Sequence, residues 1–181
     1  MRYRAIRLRP AAGFTLLELS IVLFIIGLIV TIAMPYAGGY RKAQLKSEAR
    51  RLAGRASYLF DAAESQKVVM ELVFDLDHNA YAVLRLDPYS PTPSFVPDRS
   101  VAGRPVQMGA AVAIRDVTVG DLGTFRRGMV ATQFYPEGYV DATLVHLIDA
   151  SGHVVTLDFN PLTGQVLIGD GDLAPADMLA Q

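Results

Sequence analysis

A chain of 181 residues without cysteine excludes disulfide cross-links, zinc–thiolate sites and a thiol nucleophile. Half of it (51%) is hydrophobic and 19% is charged, a globular or membrane-anchored composition rather than a disordered one. The net charge of −1 hides an asymmetry: residues 1–13 hold Arg2, Arg4, Arg7 and Arg9 and no acid, leaving 13 basic against 18 acidic residues elsewhere. A mildly acidic body argues against nucleic acid as a partner.

After this basic leader, residues 14–34 form a 21-residue run with a single charge, Glu18. As a helix rising about 1.5 Å per residue, it matches the ~30 Å hydrocarbon core of a bilayer. The apolar part of a secretory signal is shorter, about 7–15 residues, and ends at a small-residue site. Here Pro35 and Tyr36 follow instead. An acid near the bilayer centre costs roughly 2.5–3.5 kcal/mol. Glu18, five residues into the run, therefore needs either an interfacial position or a positive partner, and the run contains no base. Arg41, Lys42, Lys46, Arg50 and Arg51 beyond the run oppose the four leader arginines, so counting positive charges does not settle orientation.

Gly13-Phe14-Thr15-Leu16-Leu17-Glu18, between a basic leader and an apolar run, resembles the prepilin cleavage motif of type IV pilins and of the pseudopilins of type II secretion. The resemblance implies a cut after Gly13 by a prepilin peptidase, methylation of the new terminal residue Phe14, and a role for Glu18 in assembly, pairing with a neighbouring subunit's amine. It also implies the orientation: leader in the cytoplasm, body in the periplasm, with 14–35 as a single pass through the bacterial inner membrane. Gly27 and Pro35 match positions where that family's helix is weakened. Pro35 lacks a helix donor, and glycine costs about 1 kcal/mol against alanine in a helix. Gly27 equally suits close helix packing in a membrane.

Leu45, Ala49, Leu52, Ala56, Leu59, Phe60 and Ala63 then recur at steps of three and four, which predicts an amphipathic helix over 40–66. Its other face carries Lys46, Arg50 and Arg55, either available to neighbouring subunits or simply solvated. Residues 68–75 and 80–86 alternate around an Asp77-His78-Asn79 turn, a hairpin pattern. Pro88, Pro91, Pro93, Pro97 and Pro105 predict a long irregular loop, followed by strands at 110–119, 129–135, 143–149, 153–159 and 165–169. A long helix followed by many strands is an α+β plan, the helix packed on antiparallel sheets. The resulting division is a leader (1–13), a transmembrane helix (14–35), the amphipathic helix of a pilin domain (36–66) and a β-rich periplasmic body (67–181).

Phe134-Tyr135-Pro136-Glu137-Gly138 and Leu162-Thr163-Gly164-Gln165-Val166 resemble the ends of H-type minor pseudopilins and of FimT-like minor pilins, although generic hairpin chemistry also produces such turns. Asp75, Asp77 and Asn79 imitate the start of a calcium loop, but Ala80 and Leu86 stand where it needs glycine and glutamate. Asp170, Asp172 and Asp177 form an acidic tail that reads as solvated. His78, His146 and His153 lack metal-ligand spacing, though the last two could meet across a 143–159 hairpin. No catalytic constellation, cofactor site or metal site is expected. The leading expectation is a minor pseudopilin of type II secretion, at or near the tip of its filament, whose partners are the peptidase, other subunits and the inner membrane. The alternatives are a minor pilin of a type IV pilus and a single-pass anchored binding domain.

Overall fold

The computed structural model describes residues 14–98, 100 and 104–174. Its first element is a helix, α1 (Leu16–Gln66), which passes through Gly27 and Pro35. The chain divides into two units, Met1–Gly38 and Gly39–Gln181.

In the first unit, Thr15 begins the helix. Its Oγ1 accepts the N–H of Glu18 at 3.1 Å, so Thr15-Leu16-Leu17-Glu18 forms one half of a capping box. From residue 14 to 32 every side chain is exposed, Phe14 at 81% and Leu16 at 88% among them. Among the described residues no helix is long and apolar enough to cross a membrane. Described side chains in this stretch end at residue 32, short of the predicted span 14–35.

In the second unit, Leu45, Ala49, Leu52, Ala56, Leu59 and Ala63 are fully buried. The predicted stripe is therefore the face that meets the sheets. The helix ends where Lys67 enters the left-handed region (φ 55°) and Val68 donates to Ala63 O at 3.3 Å. This Schellman closure uses Val68 as a cap, so the first strand starts at Met70 rather than at 68.

Two antiparallel sheets follow. The first runs in the order β3 (Phe95–Pro97), β2 (Ala80–Leu86), β1 (Met70–Asp75), β7 (Met129–Tyr135), β8 (Tyr139–Val140), with β4 (Val106–Gln107) also paired to β2. The second runs β11 (Val166–Asp170), β10 (Val154–Phe159), β9 (Thr143–Asp149), β5 (Val112–Val119), β6 (Gly123–Phe125). Leu72, Phe74, Tyr81 and Phe134 of the first sheet and Val117, Leu147, Leu157 and Phe159 of the second share one core with the helix stripe. Each large side chain so buried contributes on the order of 1.5–3 kcal/mol.

The proline-rich stretch departs from the expected irregular loop. It supplies β3 and β4, which pair with opposite ends of β2 along its outer edge. Proline is tolerated at a sheet edge, where its missing donor faces away from the ladder, so proline density hides such strands. β6 and β8 were not predicted either, being three and two residues long.

Among the contacts that bind the layers, two involve residues with positive φ. Asn79, at φ 52°, donates from Nδ2 to Val112 O (2.8 Å) and accepts the Ile114 N–H at Oδ1 (2.9 Å), tying the β1–β2 turn to the other sheet. Gly164, at φ 65°, lies so close to the Phe60 ring that a Cβ there would overlap it. Gly164→Ala combines left-handed strain with overpacking and should destabilise the body by roughly 2–5 kcal/mol in urea unfolding. At Gly54, where a Cβ meets nothing within 4 Å, alanine should be neutral or slightly stabilising.

Candidate functional site

The terminal segment places Phe14 two residues before the helix begins and Glu18 in its first turn. A carboxylate there faces the unsatisfied N–H groups and the positive end of the helix dipole, which stabilise it without a second chain by about 0.3–1 kcal/mol. Sequence reasoning missed this second role, although Thr-x-x-Glu is itself the capping signal. Thr31 Oγ1 donates to Gly27 O at 2.8 Å, and a Cβ at Gly27 would meet nothing within 4 Å of this chain. Gly13 and Asp177 lie outside the described residues.

In the body, the residues singled out for metal chemistry are used to hold turns. His78 Nδ1 lies 2.8 Å from Asp75 Oδ2, and Asp77 Oδ2 accepts the Gly128 N–H at 3.1 Å. With Asn79 bound to β5, the calcium-like triplet is spent on the hairpin. His146 and His153 do not meet. The β9–β10 register sets His146 opposite Thr156, while His153 Nδ1 turns to Asp149 Oδ2 at 3.2 Å. Burial pushes the Asp149 carboxyl up. The N–H groups of His153 (3.0 Å) and Ser151 (2.7 Å) and the His153 ring outweigh that and hold its pKa below the ordinary value.

Asp170 and Asp172 of the acidic tail are exposed, as expected, but each also has a cationic partner. Asp170 meets Lys46 Nζ at 2.8 Å, and Asp172 takes a bidentate fork from Arg115, with both N–O distances 2.8 Å. Arg115 sits at a bulge between Ile114 and Asp116, which turns the β5 side chains. Asp116, 2% exposed, thereby receives His146 Nδ1 at 2.6 Å and Arg115 Nε at 2.7 Å. His146 Nε2 lies 3.2 Å from Asp172 Oδ1 and 3.3 Å from Leu173 O. Thr156 Oγ1 donates to Gly171 O (2.7 Å) and accepts the Leu173 N–H (3.1 Å). Residues 171–173 thus form a strap across the second sheet. His146 has an acidic partner, as a general base needs, but its second nitrogen faces the strap and not a hydroxyl nucleophile. Arg115-Asp116 inside the apolar Val-Ala-Ile-Arg-Asp-Val-Thr-Val strand was the available sequence signal.

The basic helix face is partly occupied as well. Arg55 lies 5.4 Å over the Tyr81 ring and donates to Arg104 O at 3.1 Å, and Lys46 is bound to Asp170.

One helix, half exposed and apolar and half buried under two antiparallel sheets, gives the protein the fold of the minor pseudopilins. Two solved structures of the minor pseudopilin EpsH from the type II secretion system of Vibrio cholerae match it. One has a TM-score of 0.55 at 14% identity, covering 74% of this chain and 99% of that one. The other has a TM-score of 0.53 at 10% identity, covering 70% and 97%. A family model, the prokaryotic N-terminal methylation motif, matches residues 8–34. Type II secretion system protein H of Pseudomonas aeruginosa is 38% identical over 81 residues. That match spans 44% of this chain and 46% of the relative, so less than half of either.

Arg115, first of all, holds the Asp172 carboxyl below the ordinary aspartate value. A depressed carboxylate stabilises the strap above that ordinary value, 3.8, and the effect fades as pH falls through the lower folded value. Hydrogen exchange of the Leu173 amide should accelerate on acidification below 3.8 before that of Val145 does. Arg115→Gln should bring the same acceleration at neutral pH.

Proposed function

We propose that the protein is a minor pseudopilin of type II secretion, a structural subunit of the periplasmic filament that promotes export of folded proteins, and not an enzyme. The observation that carries this reading is the methylation motif over residues 8–34 on a chain 38% identical, over 81 residues, to a secretion protein H. The fold supports it. In this reading a prepilin peptidase cuts between Gly13 and Phe14 and Phe14 is methylated. Residues 14–35 anchor the chain in the inner membrane with the body in the periplasm. Gly27 and Pro35 are the points where the helix yields during assembly.

The exposed apolar surface from 14 to 32 supports the anchor, because such an area needs lipid or other helices to cover it. Glu18 then serves twice: its charge stands at the positive end of its own helix, and it offers a carboxylate to the amine of a neighbouring Phe14. Leaving one partner of a desolvated pair alone costs about 3–5 kcal/mol, far more than the helix dipole contributes. The pairing therefore decides assembly.

Mass spectrometry of membrane-purified protein should find an N-methylated Phe14 at the mature terminus, and Gly13→Val should block the cut. Retention of Met1 in the native protein overturns the reading. Glu18→Gln keeps a polar group at the helix start but removes the charge. It should leave cleavage and folding intact and lower crosslinking to neighbouring subunits at least about tenfold. Normal crosslinking and secretion in Glu18→Gln would leave Glu18 no role in assembly.

A further inference from the structure

Among the described residues, β11 ends the second sheet and pairs on one side only, with β10. Asn160 donates to Gln165 O and Gly171 donates to Val154 O, both at 2.9 Å. With the β10–β11 register, these bonds fix which residues face the ladder: 165, 167, 169 and 171. By alternation, the N–H and C=O of Val166, Ile168 and Asp170 point to the open side. Ile168 is 40% exposed.

α1 runs beside this edge. Lys42, Lys46 and Arg50, four residues apart, lie on one face of it. Lys46 binds Asp170, and Arg50 lines the same groove of about 310 Å³ as Ile168. Four residues further along the helix thus correspond to two residues back along the strand. The steps match, since four helical residues advance about 6 Å and two strand residues about 6.7 Å. Lys46 and Arg50 line the groove against one acid, Asp170, and Lys42 stands one helical turn away on the same face, so the edge is positive. Arg50 is exposed and has no ion-pair partner among the described residues.

We propose that the β11 edge and the Lys42–Lys46–Arg50 stripe together form a docking site for an extended acidic segment of another polypeptide. The segment adds as a sixth strand to the second sheet. Unpaired backbone groups at two-residue intervals accept a strand and no other conformation. Acidic residues at alternate positions of that strand face the stripe, and Arg50 is the cation free to receive them. The site lies wholly in the body and does not depend on processing of the amino terminus.

The test uses the full chain in detergent micelles and a fluorescent, end-blocked nonapeptide alternating Glu and Val, followed by anisotropy. The peptide should bind, more weakly as salt rises. Arg50→Glu should weaken binding at least about tenfold. Ile168→Pro removes a donor that faces solvent, a substitution edge strands tolerate, and should weaken binding comparably. The same peptide N-methylated at alternate residues should not bind to the unaltered protein, a control that needs no variant to fold. Equal binding of the corresponding Lys–Val peptide overturns the acidic specificity. Undiminished binding of the N-methylated peptide, or of the parent peptide to folded Ile168→Pro, overturns strand addition.

Discussion

Burial of one face of α1 is the constraint on which the body depends. Leu45, Ala49, Leu52, Ala56, Leu59 and Ala63 lose all contact with water, and both sheets rest on them. Alternating leucine and alanine lets the sheets approach the helix closely, while Phe60 at the border fills the space over Gly164. Neither sheet has another α-helix to pack on among the described residues. The contacts that join them, Asn79 to β5 and Thr132 to Thr143 at 3.0 Å, are polar and local. They orient layers whose cohesion comes from the shared apolar core.

The same helix carries a surface that no described residue covers. Residues 14–32 are as apolar as any core element and fully displayed, whereas 45–63 are covered from within. This contrast within one continuous element is the physical basis of the functional reading. In the proposed reading, lipid or other helices cover this first half. Glu18 is consistent with that reading, since a charge in such a stretch is retained only at some cost.

The ionisable clusters of the body serve its architecture. Asp149 organises the β9–β10 turn, Asp75 the β1–β2 turn, and Asp116 with His146 and Arg115 holds the strap on the second sheet. A buried carboxylate is tolerated at 116 because a ring nitrogen and a guanidinium both donate to it. Residues that suggest chemistry when read along the chain are thus consumed by turns and by a clasp.

Periodicity alone located the amphipathic stripe, the helix end at Gln66, and strands 80–86, 129–135 and 143–149 to the residue. Those segments carry their burial in their own spacing, and local sequence is sufficient for that. The terminal motif was legible for the same reason, being a contiguous pattern. β3, β4, β6 and β8 were not, because strands of two or three residues exist only through the edges that pair with them. The separation of His146 from His153, the bulge at Arg115 and the pairing of Asp170 and Asp172 were decided by register and by which strands became neighbours. Such choices join residues 30 to 124 positions apart, and no local pattern encodes a partner at that distance. The sequence by itself determined the longer elements and the apolar terminal segment; the tertiary structure decided the short edge strands and which charges find a partner within the chain.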